Sequence, residues 1–201
     1  MIVRRLGQDD CLEVTRLHMD ALPTPFAGRS GEALLGTYYR SVTAEQGATG
    51  YVAVNSAAQI IGYVCGVWNP GQLRRYMVSH YGLALLWWGS GQLLQKPQFL
   101  ASVPGRLRRA PKDTPARESV HEPGYELRPI VVAETARGSG AARMLVETLL
   151  QDARKRGFKE MYLYVETENL AARKFYAKVG FAEVDQEELE GRCVIRCRCD
   201  V

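Results

Sequence analysis

The chain has 201 residues, of which 46% are hydrophobic and 24% are charged, and its formal net charge is +4. This balance excludes a disordered or low-complexity chain and predicts one globular domain over residues 1–201. Every long apolar stretch is interrupted by polar residues or glycines, so we expect neither a signal peptide nor a membrane-spanning helix, and a cytoplasmic location.

The first third of the sequence predicts a mixture of strands and helices. Apolar residues recur at helical spacing after an acidic cap, and β-rich runs flank the short polar link Asn55 to Ala58, which is typical of a hairpin. In chain order, the predicted elements are a strand at 2–6, a helix capped by Asp9 or Asp10, a helix from about 31 to 43, and strands at 50–54 and 59–68.

A basic and aromatic segment follows, from Gly71 to Arg117. It holds eight Lys and Arg residues against one acid, Asp113, so its charge is +7 and that of the remaining residues is −3. We expect it to form two or three short helices that end in a proline-rich loop near residues 104–123. Its charge indicates an anionic neighbour, such as a nucleotide-linked substrate, a phosphate-bearing cofactor or a lipid surface.

From Tyr125 onward, strands and helices alternate regularly. The predicted strands are at 126–132, 161–166, 181–185 and 193–199, and the predicted helices are at 138–155 and 170–179. This rhythm predicts an α/β (α+β) fold with a single sheet. Cys193, Cys197 and Cys199 occupy odd positions of the last strand, as inward-facing residues would, and we expect reduced cysteines.

The segment from Ile130 to Ala142 is the strongest candidate for a functional site, because a buried strand turns there through a glycine-rich loop into a helix. Glycines let the backbone approach a ligand, and the first N–H groups of a helix point outward at its positive end. This geometry suits a pyrophosphate. A tight turn without a ligand is the alternative, and a Gly-x-Gly pattern alone does not decide between the two.

Two motifs decide in favour of a ligand site, because together they resemble the GNAT superfamily of N-acetyltransferases. Arg137, Gly140 and Ala142 match its signature Arg/Gln-x-x-Gly-x-Gly/Ala. A second signature, Asn-x-x-Ala-x-x-Leu/Phe-Tyr-x-x-x-Gly-Phe, is matched by Asn169, Ala172, Phe175, Tyr176, Gly180 and Phe181. The resemblance implies one N-acetyltransferase domain, with a mixed, mostly antiparallel sheet of about seven strands flanked by helices. It also implies a helical insertion at about 71–124, between strands 3 and 4.

The resemblance further implies acetyl-CoA as co-substrate and no metal. The backbone of Val131 and Val132 would pair with the pantetheine arm, as an added strand pairs with a sheet edge, and Asn169 would contact the same arm. Tyr176 would lie near the thioester sulfur and act as the general acid. The N–H groups that would hold the pyrophosphate belong to Arg137, Gly138, Ser139, Gly140, Ala141 and Ala142.

The general base is less sharply defined by the sequence. Glu126, near the start of the fourth strand, is the first candidate, because acidic residues there serve as bases in similar enzymes; an exposed strand-end glutamate without a catalytic role is the alternative. Glu166 and ordered water are weaker candidates. The histidines His18, His80 and His121 lie in different elements, so their spacing predicts neither a metal cluster nor a catalytic triad.

The expected reaction is acetyl transfer from acetyl-CoA to a primary amine of a small molecule, with an amino sugar or nucleotide-linked sugar as the leading class. A protein N-terminal or lysine acetyltransferase and a non-catalytic acyl-CoA-sensing module are the alternatives. The basic segment would cover the acceptor, lie against a membrane surface through Trp87 and Trp88, or pack against the sheet or a homodimer partner. No nucleic-acid-binding module is visible.

Overall fold

The computed structural model describes residues 1–22, 29–95, 124–189 and 192–201. The strands are β1 (Ile2–Arg5), β2 (Ala48–Val54), β3 (Ile60–Val67), β4 (Tyr125–Val132), β5 (Glu160–Glu166), β6 (Ala182–Leu189) and β7 (Arg192–Asp200). The helices are α1 (Cys11–Ala21), α2 (Arg29–Thr43), α3 (Pro70–Gln95), α4 (Ala141–Lys155) and α5 (Leu170–Lys178), with a 3-10 turn at Glu134–Ala136 before α4.

The seven strands form one sheet in the order β1-β2-β3-β4-β5-β7-β6. All neighbours are antiparallel except β4 and β5, which are parallel. The predicted mixed, mostly antiparallel α/β (α+β) sheet is therefore confirmed. Among the helices that the structure describes, none is long and apolar enough to cross a membrane.

The segment after β3 differs from its prediction. Residues 70–95 form one continuous helix of 26 residues, which is longer than the short helices predicted there. Asn69 starts this helix, since its side chain accepts the N–H of Gln72 at 2.9 Å, and Pro70 takes the first position, where no N–H is needed. The glycines inside the helix each cost about 1 kcal/mol, which its strong helix formers offset. The predicted proline-rich loop lies outside the described residues.

The sheet separates two apolar clusters. On one face, α1 and α2 cover β2 to β4 with fully buried side chains that include Val14, Tyr39 and Val42. On the other face, α4 packs Leu145 and Leu149 against β3 to β5. Burying each of these large side chains contributes about 1.5–3 kcal/mol. The side chains of β4 consequently alternate between a face toward α4 and a face toward α2.

A buried carboxylate fixes α4 to the sheet. The Tyr51 hydroxyl donates to Oδ1 of Asp152 at 2.9 Å, the Tyr125 hydroxyl donates to Oδ2 at 2.7 Å, and Nε of Arg156 donates to Oδ2 at 2.6 Å. Burial acts to raise the pKa of Asp152, but the hydrogen bonds from Arg156, Tyr125 and Tyr51 outweigh it and hold that pKa below its ordinary value. The ionised carboxylate therefore joins α4 to β2 and β4.

Two local predictions are confirmed only in part. Asp10 occupies the N-cap position of α1, but its side chain accepts the N–H of Gly7 and pairs with Arg4 instead of binding a helix N–H. Cys193 is exposed, whereas Cys197 is buried as predicted. The reason is that β5 pairs with β7 only as far as Val194, so Cys193 lies where the β6–β7 hairpin extends beyond the sheet.

Candidate functional site

The parallel strands β4 and β5 are paired only at their start. Tyr125 pairs with Met161 and Glu126 pairs with Tyr162, and the pairing then stops although β4 continues to Val132. From residue 127 onward, the edge of β4 that faces β5 therefore carries backbone groups without a ladder partner. Such an edge can take an extended ligand as an additional strand.

A bulge in β4 accompanies this separation. Arg128 pairs with Cys65 and Ile130 pairs with Val64, so Pro129 is an extra residue opposite β3. Proline has no N–H to lose from the ladder, and a bulge bends the strand that carries it. Pro129 therefore bends β4 at the level where it leaves β5.

Val131 and Val132 are both predicted to pair with a pantetheine arm, but their backbone groups point to different edges of β4. The N–H of Ala133 donates to the Ile61 carbonyl at 2.9 Å, toward β3, and backbone groups alternate between the edges of a strand. The N–H and carbonyl of Val132 therefore point to the open edge. Val131 pairs with Tyr63 on β3, and its side chain is buried under α1 and α2.

The loop between β4 and α4 is a glycine turn. The predicted helix start at residue 138 is wrong: α4 begins at Ala141, because Gly138 and Gly140 have φ angles of 79° and 88°. These left-handed conformations end the extended chain and turn it into the helix. A Cβ at either glycine would meet no atom within 4 Å, so both face open space.

Several N–H groups of this turn are available to a ligand. Arg137 and Ser139 donate to the carbonyls of Glu134 and Ala136 within the turn, and Ala141 makes a long contact of 3.4 Å with the Ser139 hydroxyl. Within the part of the chain that the structure describes, four N–H groups have no hydrogen-bond partner: those of Gly138, Gly140, Ala142 and Arg143. They lie at the positive end of α4, where anions are favoured.

A cleft of about 340 Å³ opens beside these groups. Its apolar wall includes Val132, Ala141, Phe175 and Val179. The basic residues that line it are Arg137, Arg143 and Lys178. Apolar walls, basic side chains and unpaired N–H groups together suit a ligand that has an extended arm and phosphate groups.

Sequence reasoning missed part of this lining. Phe175 and Lys178 come from α5, Val179 directly follows it, and Arg143 comes from the first turn of α4. The signal was present in the spacing, because residues i, i+3 and i+4 of a helix share one face. The missing information was which face of α5 turns toward the glycine loop.

Asn169 is a helix cap. Its Oδ1 accepts the N–H of Ala172 at 3.1 Å, which starts α5 and so positions Phe175 and Tyr176. No partner for its amide nitrogen is found among the residues that the structure covers. Its nitrogen can therefore still donate to a ligand.

Tyr176 lies on the α4 and α5 face of the sheet. Its ring packs against Phe175 and Phe181 and is 8% exposed, and its hydroxyl has no hydrogen bond to any described residue. Burial raises the pKa of Tyr176 to about 12, with a smaller contribution from Cys197. The phenol therefore keeps its proton at neutral pH and can donate it.

Glu126 lies on the opposite face, toward α2, and is 5% exposed, so the alternative of an exposed strand-end glutamate is wrong. Its Oε1 forms an ion pair with Nε of Arg128 at 2.6 Å, and the Tyr162 hydroxyl lies 3.4 Å from Oε2. β4 and β5 separate directly after Glu126. The gap between the two strands lies between the face of the sheet that carries Glu126 and the face that carries Tyr176. Glu166, the weaker candidate, forms an exposed ion pair with Arg192.

The two histidines that the structure describes, His18 and His80, lie in different elements and do not form one site. His18 lies in a polar network: the Tyr39 hydroxyl donates to the Tyr63 hydroxyl at 2.8 Å, and Nδ1 of His18 is 2.7 Å and 2.8 Å from these two hydroxyls. Burial lowers the pKa of His18, which favours the neutral ring that can accept from a phenol. His80 is exposed and stacks on Tyr76. His121 lies outside the described residues.

The sheet is open between two parallel strands, with a glycine turn and an apolar cleft at its edge, which is the architecture that the resemblance to acetyltransferases predicted. Residues 98–181 match the model of the Acetyltransferase (GNAT) family. The resemblance predicted from the sequence is therefore confirmed over these residues.

Individual relatives agree with this assignment. The chain is 42% identical over 57 residues to the uncharacterized N-acetyltransferase YobR of Bacillus subtilis. This match covers 28% of this chain and 23% of that protein. The chain is also 35% identical over 131 residues to a mycothiol acetyltransferase of Jonesia denitrificans. That match covers 59% of this chain and 37% of the relative. The chain thus spans well under half the length of these two relatives.

A solved structure shows the same fold. The ribosomal-protein-alanine N-acetyltransferase from Brucella melitensis superposes with a TM-score of 0.65 over 100% of both chains, at 15% identity. At this identity the likeness extends to the fold alone.

Proposed function

We propose that this protein transfers the acetyl group of acetyl-CoA to a primary amine of a small molecule, with an amino sugar or nucleotide-linked sugar as the leading class. One observation carries the proposal: four N–H groups without partners in the described residues converge at the start of α4, beside the open edge of β4. A pyrophosphate needs such donors, and a pantetheine arm carries amides that can pair with a strand. The names of the two sequence relatives support acetyl as the transferred group.

Different residues of the site would bind different parts of acetyl-CoA. The N–H groups of Gly138, Gly140 and Ala142 would hold the pyrophosphate, and Arg143 adds both its N–H and its charge. Val132 would pair with the arm through its backbone, and the amide nitrogen of Asn169 would donate to the same arm. Acetyl-CoA supplies the acyl carbon as a thioester.

The chain's own groups would move two protons. The acceptor nitrogen forms a bond to the acyl carbon while the carbon–sulfur bond breaks, which yields an amide and a thiol. We propose that Glu126 takes the amine proton through Oε2, because Oε1 is held by Arg128. Tyr176 would give its proton to the departing sulfur, since its raised pKa keeps the phenol protonated and its hydroxyl has no partner among the described side chains.

The test is a free-thiol release assay with acetyl-CoA and a panel of amino sugars, nucleotide-linked amino sugars, polyamines, amino acids and peptides. Tyr176→Phe removes a hydroxyl that makes no hydrogen bond within the described structure, so we expect an unchanged melting temperature and an unchanged Kd for acetyl-CoA. We expect kcat to fall at least tenfold, which is within the usual range for a lost general acid.

Three results would contradict the proposal. We use the term cradle for the N–H groups of Gly138, Gly140, Ala142 and Arg143 together with the open edge of β4 at Val132. Failure of acetyl-CoA to bind would overturn the assignment of this cradle. Binding without turnover of any amine would favour an acyl-CoA-sensing module, and an unchanged kcat in Tyr176→Phe would remove Tyr176 as the acid.

A further inference from the structure

We infer that the acceptor carries a carboxylate or phosphate group beside its amine, and that Arg128 binds this anionic group. The inference rests on the function proposed above and narrows the class of acceptor for the same site. It is carried by the geometry of the ion pair between Arg128 and Glu126.

The Arg128 guanidinium is only partly used by the protein. Nε pairs with Glu126 at 2.6 Å, and the side chain of Arg128 is 40% exposed while that of Glu126 is 6% exposed. Over the described part of the chain, the two terminal nitrogens of Arg128 have no hydrogen-bond or ion-pair partner. A guanidinium offers five N–H donors in a planar fork, and a fork with both ends unused matches the paired oxygens of a carboxylate or phosphate.

The position of Arg128 places this fork at the proposed reaction site. Glu126 and Tyr162 form the last pair before β4 and β5 separate, and Arg128 follows two residues later along β4. Tyr38 of α2 is within electrostatic range of both Glu126 and Arg128, so the ion pair lies between the sheet and α2. An acceptor that reaches the gap from this face meets the ion pair first.

The charges at this position favour an acceptor with two opposite charges. An ammonium group beside Oε2 of Glu126 is attracted by that carboxylate but lies close to the positive Arg128. A simple amine would therefore experience attraction and repulsion of similar size. An anionic group on the same molecule cancels the repulsion by binding Arg128, so both members of the ion pair gain a partner.

Other charges on this face belong to the same environment. Arg196 lies with its guanidinium carbon 5.4 Å from the centre of the Tyr162 ring, and Glu187 is within electrostatic range of Tyr164. A positive side chain thus lies over Tyr162, and charges of both signs act on the neighbouring Tyr164. A neutral or purely cationic acceptor would make no use of Arg128.

The experiment compares matched acceptors that differ in the anionic group alone. Glucosamine 6-phosphate is compared with glucosamine, and L-alanine with L-alaninamide, which separates phosphate from carboxylate. We expect kcat/KM of the wild type to be at least tenfold higher for the anionic member of one pair. Arg128→Lys keeps the charge beside buried Glu126 but loses the fork, and we expect it to reduce this preference at least fivefold, mainly through KM.

Two further variants complete the design. Glu126→Gln combined with Arg128→Gln removes both charges, so no buried carboxylate is left unpaired if Arg128→Lys fails to fold. We expect this double variant to have lost the preference in whatever turnover remains. Arg198→Gln is the matched control, because Arg198 pairs with Glu160 at 3.2 Å on the exposed end of β7, and it should keep the wild-type preference.

The outcomes separate this inference from the function on which it rests. Turnover of neutral amines at rates equal to or above those of their anionic partners overturns the inference and leaves the acetyltransferase proposal intact. A preference for anionic acceptors that survives in Arg128→Lys and in the double variant also overturns it. Absence of turnover with every acceptor overturns both.

Discussion

At the scale of single residues, backbone conformation rather than crowding explains the glycines of the cradle. Gly138 and Gly140 both adopt positive φ, and neither would bring a Cβ within 4 Å of another atom. A side chain is disfavoured there because the left-handed region costs a residue with a Cβ about 1–2 kcal/mol. Since both residues line the cleft, the space in front of them is also the space that a ligand needs.

We predict that Gly140→Ala lowers the free energy of unfolding by about 1–2 kcal/mol, from the cost of positive φ. We also predict that it weakens acetyl-CoA binding at least fivefold, because the added methyl group would enter the open space in which the pyrophosphate would bind. Urea denaturation measures the first effect, and isothermal titration calorimetry measures the second.

Gly157 provides the matched control for this prediction. Its φ is 82°, and a Cβ there would also meet no atom within 4 Å, but it follows the opposite end of α4. Gly157→Ala should therefore cost a similar free energy of unfolding and leave the Kd for acetyl-CoA unchanged. Equal Kd values for the two variants would show that Gly140 has no part in the cradle.

At the scale of elements, α4 depends on the carboxylate near its C-terminal end. Asp152 accepts hydrogen bonds from two tyrosines of the sheet and from Arg156, which directly follows its own helix. We predict that Asp152→Asn lowers the free energy of unfolding by about 2 kcal/mol at neutral pH, since hydrogen bonds to a charged acceptor are worth more than neutral ones. Glu147→Gln in the same helix should cost less than about 0.5 kcal/mol, because its ion pair with Arg143 is exposed.

The same substitution has a defined pH dependence. The folded pKa of Asp152 lies below its ordinary value of 3.8, so the wild type has the full stabilisation above that value. The stabilisation is lost as the pH falls through the lower folded pKa. Urea denaturation at a series of acidic pH values should therefore show wild type and Asp152→Asn converging. A constant difference at every pH would indicate that the charge of Asp152 does not matter.

Sequence reasoning succeeded where the determinants are local. The hairpin after β2 was predicted from the link Asn55 to Ala58, because Asn55 itself organises the turn: its Oδ1 accepts the N–H groups of Ala57 and Gln59. The glycine turn and the start of α5 at Asn169 were likewise predicted from residues that act within a few positions. Their conformations follow from nearby backbone groups, and tertiary packing changes them little.

The failures have two physical causes. Helix α3 is longer than the short helices predicted for its segment, because the cost of a few internal glycines is smaller than the gain from the helix formers around them. The remaining misses depend on distant contacts, such as the bond from Tyr51 to Asp152 and the partner of Glu126, which periodicity does not encode. Pro129 was a usable signal, since a proline inside a predicted central strand indicates a bulge.

At the scale of the whole molecule, the separation of β4 and β5 divides the sheet. Strands β1 to β4 form one part and β5 to β7 the other, and the strands of the two parts share a ladder of only two residue pairs. A ligand that occupied the gap would contact the edge of β4 and the cleft wall of α5 at once. Binding should therefore stabilise both parts together, by an amount that rises with ligand concentration.

We predict that hydrogen exchange will locate the two ends of such a ligand. Acetyl-CoA should slow exchange at the N–H groups of Val132, Gly138, Gly140 and Ala142, because each would gain a hydrogen-bond acceptor. The N–H groups of Ala133 and Met144 already donate to the carbonyls of Ile61 and Gly140, so they should change little beyond the overall gain in stability.

Fragments of the co-substrate sharpen this prediction, because each should protect one end of the site. Pantetheine should slow exchange at Val132 and leave the glycine turn unchanged, whereas ADP should slow exchange at Gly138, Gly140 and Ala142 and leave Val132 unchanged. Residue-resolved exchange measured by NMR distinguishes these patterns from a uniform effect. If acetyl-CoA slowed all N–H groups equally, its binding would stabilise the fold without using the open edge and the glycine turn, and the proposed cradle would be wrong.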